Sequence, residues 1–600
     1  MGIEPEKESR GAQDDALRRK STSQRRHNLS HLRPRAPALM SFGLLMMRAA
    51  LAYSAHAVGS RPAVSLLRGG QAKMASSWPS IPATSEAPIA LTTATIAPSD
   101  TSAATWAGDC LVVPFWEVSN STTDSIVLSA AQAAIDDACS GALTDLIADQ
   151  EFKGGAGAPA VVSLPRGSAA RRLAIVGLGK PDKWKIGGAR KFGESLASVA
   201  KAQKVKAMGL LLPAEPALTS ETAQAMLEAT YLGLSPDLRY KSKPDDDDNK
   251  PPPLVSLDLL GGGVDADVVS RARTFAAGVL LTRGLVGSPP NYLNPDTMAE
   301  TAAGLAADFD TMSLKVLELD ECEALGMGAY LGVAQGSCTP PKFIHLTYTP
   351  PNGIAPKKKV CLIGKGLTFD SGGYNIKAGA GSMIEKMKFD MGGAGAVLGA
   401  ARAVAELAPA VETHFIIAAC ENMVSAEAMR PGDILTASNK KTIEVMNTDA
   451  EGRLTLADAL VYADRLGEVD CIVDIATLTG ACIVALGPDY AAYYTDSDDL
   501  KTMIEDSATK GGELVWRMPL APEYVEQIKS PLADLKNLGG PGGGGSITAA
   551  LFLKEFVGDV SKDAMWAHMD IAGPVWNDKM GGATGYGVRT LVGLVESMDA

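Results

Sequence analysis

Histidine is scarce in this chain, with six residues among 600. Three of them lie in the first 56 residues, and the others stand singly in apolar, strand-like stretches. A hydrogen-bonded core histidine is the ordinary interpretation of such positions, so the sequence does not predict a histidine-based metal site. Any metal ion that this chain binds must therefore be held mainly by carboxylates. The six are His27, His31, His56, His345, His414 and His568.

Cysteine is present but has no paired spacing. The eight cysteines are scattered without a CxxC pair, and the two nearest are Cys471 and Cys482. This pattern is typical neither of a disulfide framework nor of a thiolate zinc site. We expect reduced, buried thiols.

Acidic residues are absent from residues 16–85, where arginine, serine and alanine are frequent and proline and glycine interrupt any helix. This composition is typical of an organellar transit peptide. The longest apolar run of the segment, residues 36–47, is too short to cross a bilayer, and we predict no membrane partner. We predict a transit peptide and disordered tail over residues 1–85. The expected destination is a chloroplast or other plastid, the mitochondrion is the alternative, and the cytoplasm is less expected.

Charge is distributed unevenly along the chain. Residues 1–85 contain 13 Lys and Arg and 5 Asp and Glu, which leaves 43 basic and 64 acidic residues and a net charge of −21 in the remainder. A body of this charge repels a polyanion on average, so a nucleic-acid partner is not expected.

The length of 600 residues, with 46% hydrophobic and 21% charged residues, predicts two folded domains in addition to the tail. We predict an N-terminal α/β domain over residues 100–264, built from short buried strands and alanine-rich helices. The acidic and proline-rich run at 243–253 is expected to be a solvated loop. The predicted strands cover 109–117, 171–179, 205–213 and 255–261, and the helical stretches cover 129–147 and 193–202.

A linker helix is predicted over residues 265–290, because an apolar helical pattern there is stopped by Gly287 and two prolines. A larger α/β domain is predicted over 291–600. Its continuous apolar runs, rich in Val and Ile, alternate with helices, which is typical of a mainly parallel sheet covered on both faces. These runs are 358–366, 413–420 and 469–480.

Charged side chains are concentrated in the stretch "NTDAEGRL", residues 447–454, which contains Asp449, Glu451 and Arg453. Residues 440–448 alternate like a strand, and residues 454–466 have apolar residues at helical spacing. We therefore expect the two acids where a strand passes into a helix, and that junction binds ligands in open α/β folds.

A second charged group follows the predicted strand 358–366. Lys365 and Asp370 are expected at its carboxyl end, Lys377 on the next loop and Asp390 further on. We expect all of these charges and the 447–454 acids at strand ends of one sheet. Such a cluster is costly unless cations neutralise the carboxylates, and divalent metal ions would do so.

The motifs "GKGLTFDSGG", "KFDMGG" and "NTDAEGRL" resemble the leucyl aminopeptidase family of dinuclear metallo-exopeptidases, peptidase family M17. The resemblance extends from about residue 107 to the C-terminus and is closest to plant-type organellar members. It implies a macro-like N-terminal α/β domain, a catalytic α/β domain, and six chains assembled as a dimer of trimers.

The resemblance also implies five metal ligands for two divalent ions, Mn²⁺ or Zn²⁺, with Mg²⁺ and Co²⁺ as alternatives. Lys365, Asp370, Asp390 and Glu451 match the ligands of one ion. Asp370, Asp449 and Glu451 match the ligands of the other.

Two further residues match catalytic positions of the family that bind no metal. Lys377 would stabilise the developing oxyanion, and Arg453 would hold a bicarbonate ion that acts as general base. The attacking group implied by the family is a hydroxide that bridges the two metals. The residues that match the pocket for the first side chain are Met387, Thr477, Gly480 and Ala583, for which ordinary core positions are an open alternative.

The implied function is removal of N-terminal residues, preferably leucine or other apolar residues, during peptide turnover in an organelle. Relatives of the family also serve as DNA-binding accessory proteins or show chaperone-like activity, and a degenerate structural subunit is a further alternative. The net charge of the body argues against the first alternative, and the intact set of ligand positions argues against the last.

Overall fold

The computed structural model describes residues 89–118, 126–242, 254–379 and 381–599, all within one compact unit, Ser80–Ala600. The predicted transit peptide, 1–85, and the predicted loop at 243–253 lie outside the described residues.

The N-terminal part is a parallel sheet with one antiparallel edge strand. Its strands are β1 (Thr95–Ser99), β2 (Cys110–Trp116), β3 (Pro159–Ser163), β4 (Arg172–Gly179), β5 (Ala207–Leu211) and β6 (Ser256–Leu260). Its helices are α1 (Ala130–Ala138), α2 (Ala142–Asp149), α3 (Ile186–Ala202), α4 (Ser220–Gly233) and the longer α5 (Ala266–Gly287). The strand order is β1-β6-β5-β2-β4-β3, and β3 is the antiparallel member.

Both faces of this sheet are covered, because alternate residues of β2 belong to different cores. Val112 packs with the residues of α3, α4 and α5, whereas Val113 packs with those of α1 and α2. The helical stretch predicted at 129–147 is two helices. Gly141 separates them with a φ of 84°, a left-handed conformation that glycine adopts without strain.

Helix α5 joins the two parts of the chain. It begins after Asp265, whose side chain accepts a hydrogen bond from the Val268 amide. Fourteen of its 22 residues are buried, since it packs against both α4 and a helix of the second part. The helix ends at Gly287, near the predicted stop, while the domain borders of residues 264, 290 and 291 stay predictions.

The second part contains a mixed eight-stranded sheet. The strands of this part are β7 (Met312–Leu317), β8 (Lys342–Tyr348), β9 (Lys358–Asp370), β10 (Val411–Asn422), β11 (Ile434–Thr436), β12 (Thr442–Glu444), β13 (Cys471–Ala476), β14 (Tyr490–Tyr494), β15 (Leu514–Arg517), β16 (Leu535–Lys536), β17 (Met565–Asp570), β18 (Trp576–Asn577) and β19 (Gly582–Ala583). The order is β15-β14-β17-β13-β9-β10-β8-β7, with the four central strands parallel to one another. A small sheet, β11-β12-β16, and the hairpin β18-β19 lie outside it.

Helices cover both faces of this sheet as well. They are α6 (Pro295–Asp308), α7 (Leu319–Ala324), α8 (Gly328–Ala334), α9 (Gly392–Leu407), α10 (Gly452–Asp464), α11 (Gly480–Leu486), α12 (Asp498–Gly511), α13 (Gly545–Lys554) and α14 (Val588–Ser597). Val473 of β13 packs in the core of α5, α9 and α14, whereas Ile472 packs in the core of α8, α10 and α13. The predicted α/β fold, with a larger second sheet that is parallel at its centre, is confirmed. Within the described ranges, no helix combines the length and apolarity that crossing a membrane requires.

The histidines of the second part are hydrogen-bonded core residues, as predicted. His345 Nε2 lies 2.9 Å from His414 Nδ1, and His568 Nδ1 lies 2.5 Å from Asp474 Oδ1. All eight cysteines are free thiols and six are buried, but Cys338 is exposed, so the expectation of buried thiols is wrong there.

Candidate active site

Strand β9 carries two of the charged residues. Lys365 lies inside the strand and Asp370 is its last residue. The register between β9 and β10 shifts so that Thr368 has no partner, an irregularity of the bulge type two residues before Asp370. Both charged side chains are buried, with exposed fractions of 3% and 2%.

Lys365 is the centre of a buried ion-pair network. Its Nζ lies 2.9 Å from Asp390 Oδ1, 3.0 Å from Glu451 Oε1 and 3.1 Å from the Thr477 carbonyl oxygen. Burial lowers the pKa of Lys365, but the carboxylates of Asp390 and Glu451 outweigh it and raise the pKa above its usual value. The ammonium therefore serves as the counter-ion of these carboxylates.

Glycine at position 452 makes this approach possible. A Cβ atom added to Gly452 would lie 2.3 Å from Lys365 Cε and 2.6 Å from Lys365 Nζ. Any larger residue at this position would force the Lys365 side chain to shift.

Lys377 neutralises a second pair of carboxylates. Its Nζ lies 2.8 Å from Asp370 Oδ2 and forms a closer ion pair with Asp449. Burial lowers the pKa of Lys377, but Asp370 and Glu451 raise it above its ordinary value. Asp449 is the most open of the four acids, with a side chain 33% exposed.

Three of the carboxylates converge closely enough to share a metal ion. Asp370, Asp449 and Glu451 each offer one oxygen within 4.8 Å of the others. Burial and the nearby Asp370 raise the pKa of Glu451 to about 8, and burial raises that of Asp390 to about 6. Oε2 of Glu451 is buried and has no hydrogen-bond partner among the described residues. Crowded carboxylates with an unpaired oxygen fit a divalent cation, which prefers such hard ligands.

Arg453, in the first turn of α10, is a buried cation. Its Nε and Nη1 have no hydrogen-bond partner in the part of the chain that the structure describes. Burial lowers its pKa to about 10, while Glu451 and Asp570 act in the opposite direction. A buried guanidinium with unpaired N–H groups suits a planar oxyanion.

The four predicted pocket residues have different surroundings. Thr477 is tied to the cluster, because its Oγ1 donates to Asp390 Oδ1 at 2.8 Å. Met387 is buried in a 3-10 helix, Ile384–Phe389, while Ala583 is half-buried on β19. A Cβ added to Gly480 would meet no atom within 4 Å, so this residue borders open space. A pocket shared by all four stays a prediction.

The expectation that all these charges arrive at strand ends of one sheet is wrong. Asp390 follows the short 3-10 helix, and both Asp449 and Glu451 lie in the loop between β12 and α10, outside the main sheet. The strand predicted before Asp449 is the short β12. It ends early because the Met446 and Asn447 amides donate hydrogen bonds to the Asn537 side-chain oxygen, at 2.8 and 3.3 Å, and not to a neighbouring strand.

Sequence reasoning missed several uncharged residues that hold the cluster. Asn422, the last residue of β10, donates to Asp370 Oδ1, and Thr448 is paired with Asn375 by three hydrogen bonds. Asn422 meets Asp370 only through the register of β9 and β10, so the sequence contains no local signal for it. Thr448 and Asn375 lie 73 residues apart and give no local signal.

The fold and the cluster define an α/β protein with a buried carboxylate and lysine centre suited to divalent cations. Comparison with known proteins identifies its family. The family model described as "Cytosol aminopeptidase family, catalytic domain" matches residues 280–592, and the model of the N-terminal domain of the same family matches residues 112–244.

Individual relatives agree with these matches over most of the chain. The probable cytosol aminopeptidase of Nostoc punctiforme is 52% identical over 506 residues, which cover 84% of this chain and 99% of the relative. That of Synechocystis is 50% identical over 499 residues, covering 82% and 97%. A solved structure of a mutant tomato leucine aminopeptidase is 41% identical with a TM-score of 0.76, covering 84% of this chain and 97% of that one.

The chain therefore belongs to the cytosol aminopeptidase family, peptidase family M17. It is an aminopeptidase, and so a hydrolase that acts on peptides. The resemblance inferred from the three sequence motifs is confirmed.

Proposed function

We propose that this aminopeptidase is metal-dependent and releases N-terminal leucine or other apolar residues from peptides. The observation that supports it most is the convergence of Asp370, Asp449 and Glu451 within 4.8 Å, with an unpaired oxygen on Glu451. Lys365 and Asp390 complete the proposed ligand set for two divalent ions, Mn²⁺ or Zn²⁺. When bound, such ions supply an acidified water as nucleophile and polarise the scissile carbonyl.

The two cations that we do not assign as ligands have separate tasks. Lys377 is 16% exposed, so its ammonium can reach a substrate, and it donates a hydrogen bond to the oxyanion that develops on the carbonyl. Arg453 holds a planar oxyanion such as bicarbonate on its unpaired N–H groups, and that anion acts as the general base.

Selectivity for the first residue is proposed to come from a pocket that includes Met387, Thr477, Gly480 and Ala583. The open space in front of Gly480 supports this assignment, since a side chain can enter there. An apolar lining favours leucine or methionine, but one methylene changes selectivity by only about 1 to 3 kcal/mol.

The test is hydrolysis of leucine-p-nitroanilide by protein treated with a chelator, before and after Mn²⁺ is added back. Activity that is lost and then restored supports the proposal, and full activity without metal contradicts it. Asp449→Asn should abolish the restoration. Asp464→Asn is the matched control, since this buried carboxylate at the far end of α10 binds the Gly558 and Val560 amides instead.

We also propose a homohexamer, a dimer of trimers, in a plastid or, as the alternative, a mitochondrion. This proposal rests on the resemblance to the family, whose catalytic-domain model matches residues 280–592. Two observations support an organellar leader. The Nostoc relative matches 84% of this chain over 99% of its own length, and the acid-free residues 16–85 precede the family match. Mass photometry and N-terminal mapping of the mature protein from purified organelles test the two points. A fully active monomer contradicts the first, and a mature N-terminus at residue 1 contradicts the second.

A further inference from the structure

Asn422 is an uncharged side chain buried beside the acidic cluster. Its exposed fraction is 1%, and it ends strand β10 next to the end of β9. Its amide nitrogen donates to Asp370 Oδ1 at 2.8 Å and to the Thr448 carbonyl oxygen at 3.0 Å. Both protons of the amide group are therefore in use.

The two oxygens of Asp370 have different partners as a result. Oδ1 accepts hydrogen bonds from Asn422 and from the Gly372 amide, each at 2.8 Å. Oδ2 lies 2.8 Å from the ammonium of Lys377. One oxygen is thus fixed by uncharged donors, and the other faces the charged cluster.

The second acceptor of Asn422 lies in the loop that carries Asp449. Thr448 N donates to Asn375 Oδ1 at 2.9 Å, and Asn375 N donates to Thr448 Oγ1 at 2.8 Å. Asn375 is two residues before Lys377, so this pair joins the Lys377 loop to the Asp449 loop. Asn422 connects the joined loops to the carboxylate of Asp370.

We infer that Asn422 is a positioning residue of the active site, which sets the orientation of Asp370 and its distance from the Asp449 loop. The inference rests on the proposed metal-dependent function. An amide is required because two acceptors must be met by two donors. Asn422→Asp keeps the size but directs an oxygen at Asp370 Oδ1, and Asn422→Ser is too short to reach both acceptors.

The experiment measures Mn²⁺ binding to the full chain by calorimetry for wild type, Asn422→Ser and Asn422→Asp. Side chains that orient metal ligands typically change metal affinity by about 10- to 100-fold when replaced, and we expect a loss in this range. The visible spectrum of the Co²⁺-loaded protein should change as well, because it reports the ligand geometry. We expect kcat to fall more than KM rises, since the proposed side-chain pocket is untouched.

Asp464→Asn is the control for a buried hydrogen-bonding residue on an element of the site. Gly452 and Asp464 are about 18 Å apart along α10, at 1.5 Å per residue. This variant should lose stability without changing Mn²⁺ affinity or the Co²⁺ spectrum.

Two results separate failure of the inference from failure of the proposed function. If wild type binds Mn²⁺ and a folded Asn422 variant binds it within twofold, with an unchanged Co²⁺ spectrum, the inference is overturned and the function stands. If wild type binds no Mn²⁺, the proposed function fails and the inference falls with it. Should Asn422→Ser not fold, the isosteric Asn422→Asp variant decides the question.

Discussion

Replacing Lys365 by methionine removes the cation from the buried cluster while keeping most of the side-chain volume. In the metal-free protein this leaves Asp390 and Glu451 without the ammonium that lies 2.9 and 3.0 Å from them. Both carboxylates are at least 95% buried, so water cannot replace the lost partner. We expect Lys365→Met to destabilise the metal-free fold strongly at alkaline pH and weakly at acidic pH.

The magnitude follows from two limits. Breaking a buried ion pair on one side costs about 3 to 5 kcal/mol, because the remaining charge is uncompensated. Proton uptake caps the added cost at about 1.4 kcal/mol for each pH unit above the pKa that the carboxyl already has in wild type, which is about 6 for Asp390 and about 8 for Glu451. The cap therefore comes from Asp390, and it is about 3 kcal/mol at pH 8 and about zero at pH 5.

The pH dependence has a definite sign. The pKa of Lys365 is raised, so its contribution in wild type is fully present below 10.5 and does not change between pH 5 and pH 8. The pKa of Glu451 is raised above that of the unfolded chain, so folding becomes less favourable as pH rises from 4.5 towards 8. Removing the lysine should make the slope steeper between pH 6 and pH 8, because Lys365 is what holds the pKa of Asp390 down to about 6.

The assay is urea unfolding in the presence of a chelator, followed by tryptophan fluorescence at equal protomer concentration and at pH 5 and pH 8. Lys501→Met is the control, because Lys501 pairs with Glu505 at the surface and such pairs contribute about 0 to 1 kcal/mol. A loss that is equal at the two pH values, or below 1 kcal/mol at pH 8, would refute the reasoning.

Three further changes test separate parts of the site. Lys377→Ala should lower kcat by about 10²- to 10³-fold with unchanged metal content, since one oxyanion donor is worth about that factor. Steady-state kinetics and elemental analysis measure the two quantities, and loss of metal would reassign this lysine as a ligand. Gly480→Val fills the open space at the first residue of α11 and should lower kcat/KM for leucine substrates at least tenfold more than for alanine substrates. An equal loss for both substrates would contradict the proposed side-chain pocket. Glu451→Gln should flatten the fall in stability of the metal-free protein between pH 4.5 and pH 8, because the raised pKa of Glu451 causes part of that fall. Thermal unfolding in the presence of a chelator measures this slope, and an unchanged slope would show that Glu451 does not titrate there.

The central strands could be predicted from the sequence because they are buried on both faces. The apolar runs at 358–366, 413–420 and 469–480 correspond to β9, β10 and β13. The length of strand β12 was overestimated. The residues that follow it donate hydrogen bonds to Asn537, which lies 90 residues further along the chain. Local pattern contains no information about such a distant partner.

The charged members of the site could be found because acids and lysines in glycine-rich motifs are unusual and the family motifs contain them. The asparagines that hold these charged residues in place could not be found in this way. Asn422 and Asp370 are separated by 52 residues and meet only through the register of two parallel strands. A buried asparagine and a loop asparagine look the same in sequence, and the difference arises only from the tertiary contact.

The arrangement explains why a centre proposed to bind metal also contains two lysines. Four carboxylates must be stable in one buried place before any ion arrives, and Lys365 and Lys377 provide that stability through five contacts with acidic oxygens. The raised pKa of each lysine shows that the carboxylates favour the charged form. Because a lysine can bind a metal only as the neutral amine, the same residue cannot be counter-ion and ligand at once. In the proposed function, Lys365 therefore changes from the first role to the second when it loses its proton, whereas Lys377 keeps its charge for the substrate oxyanion.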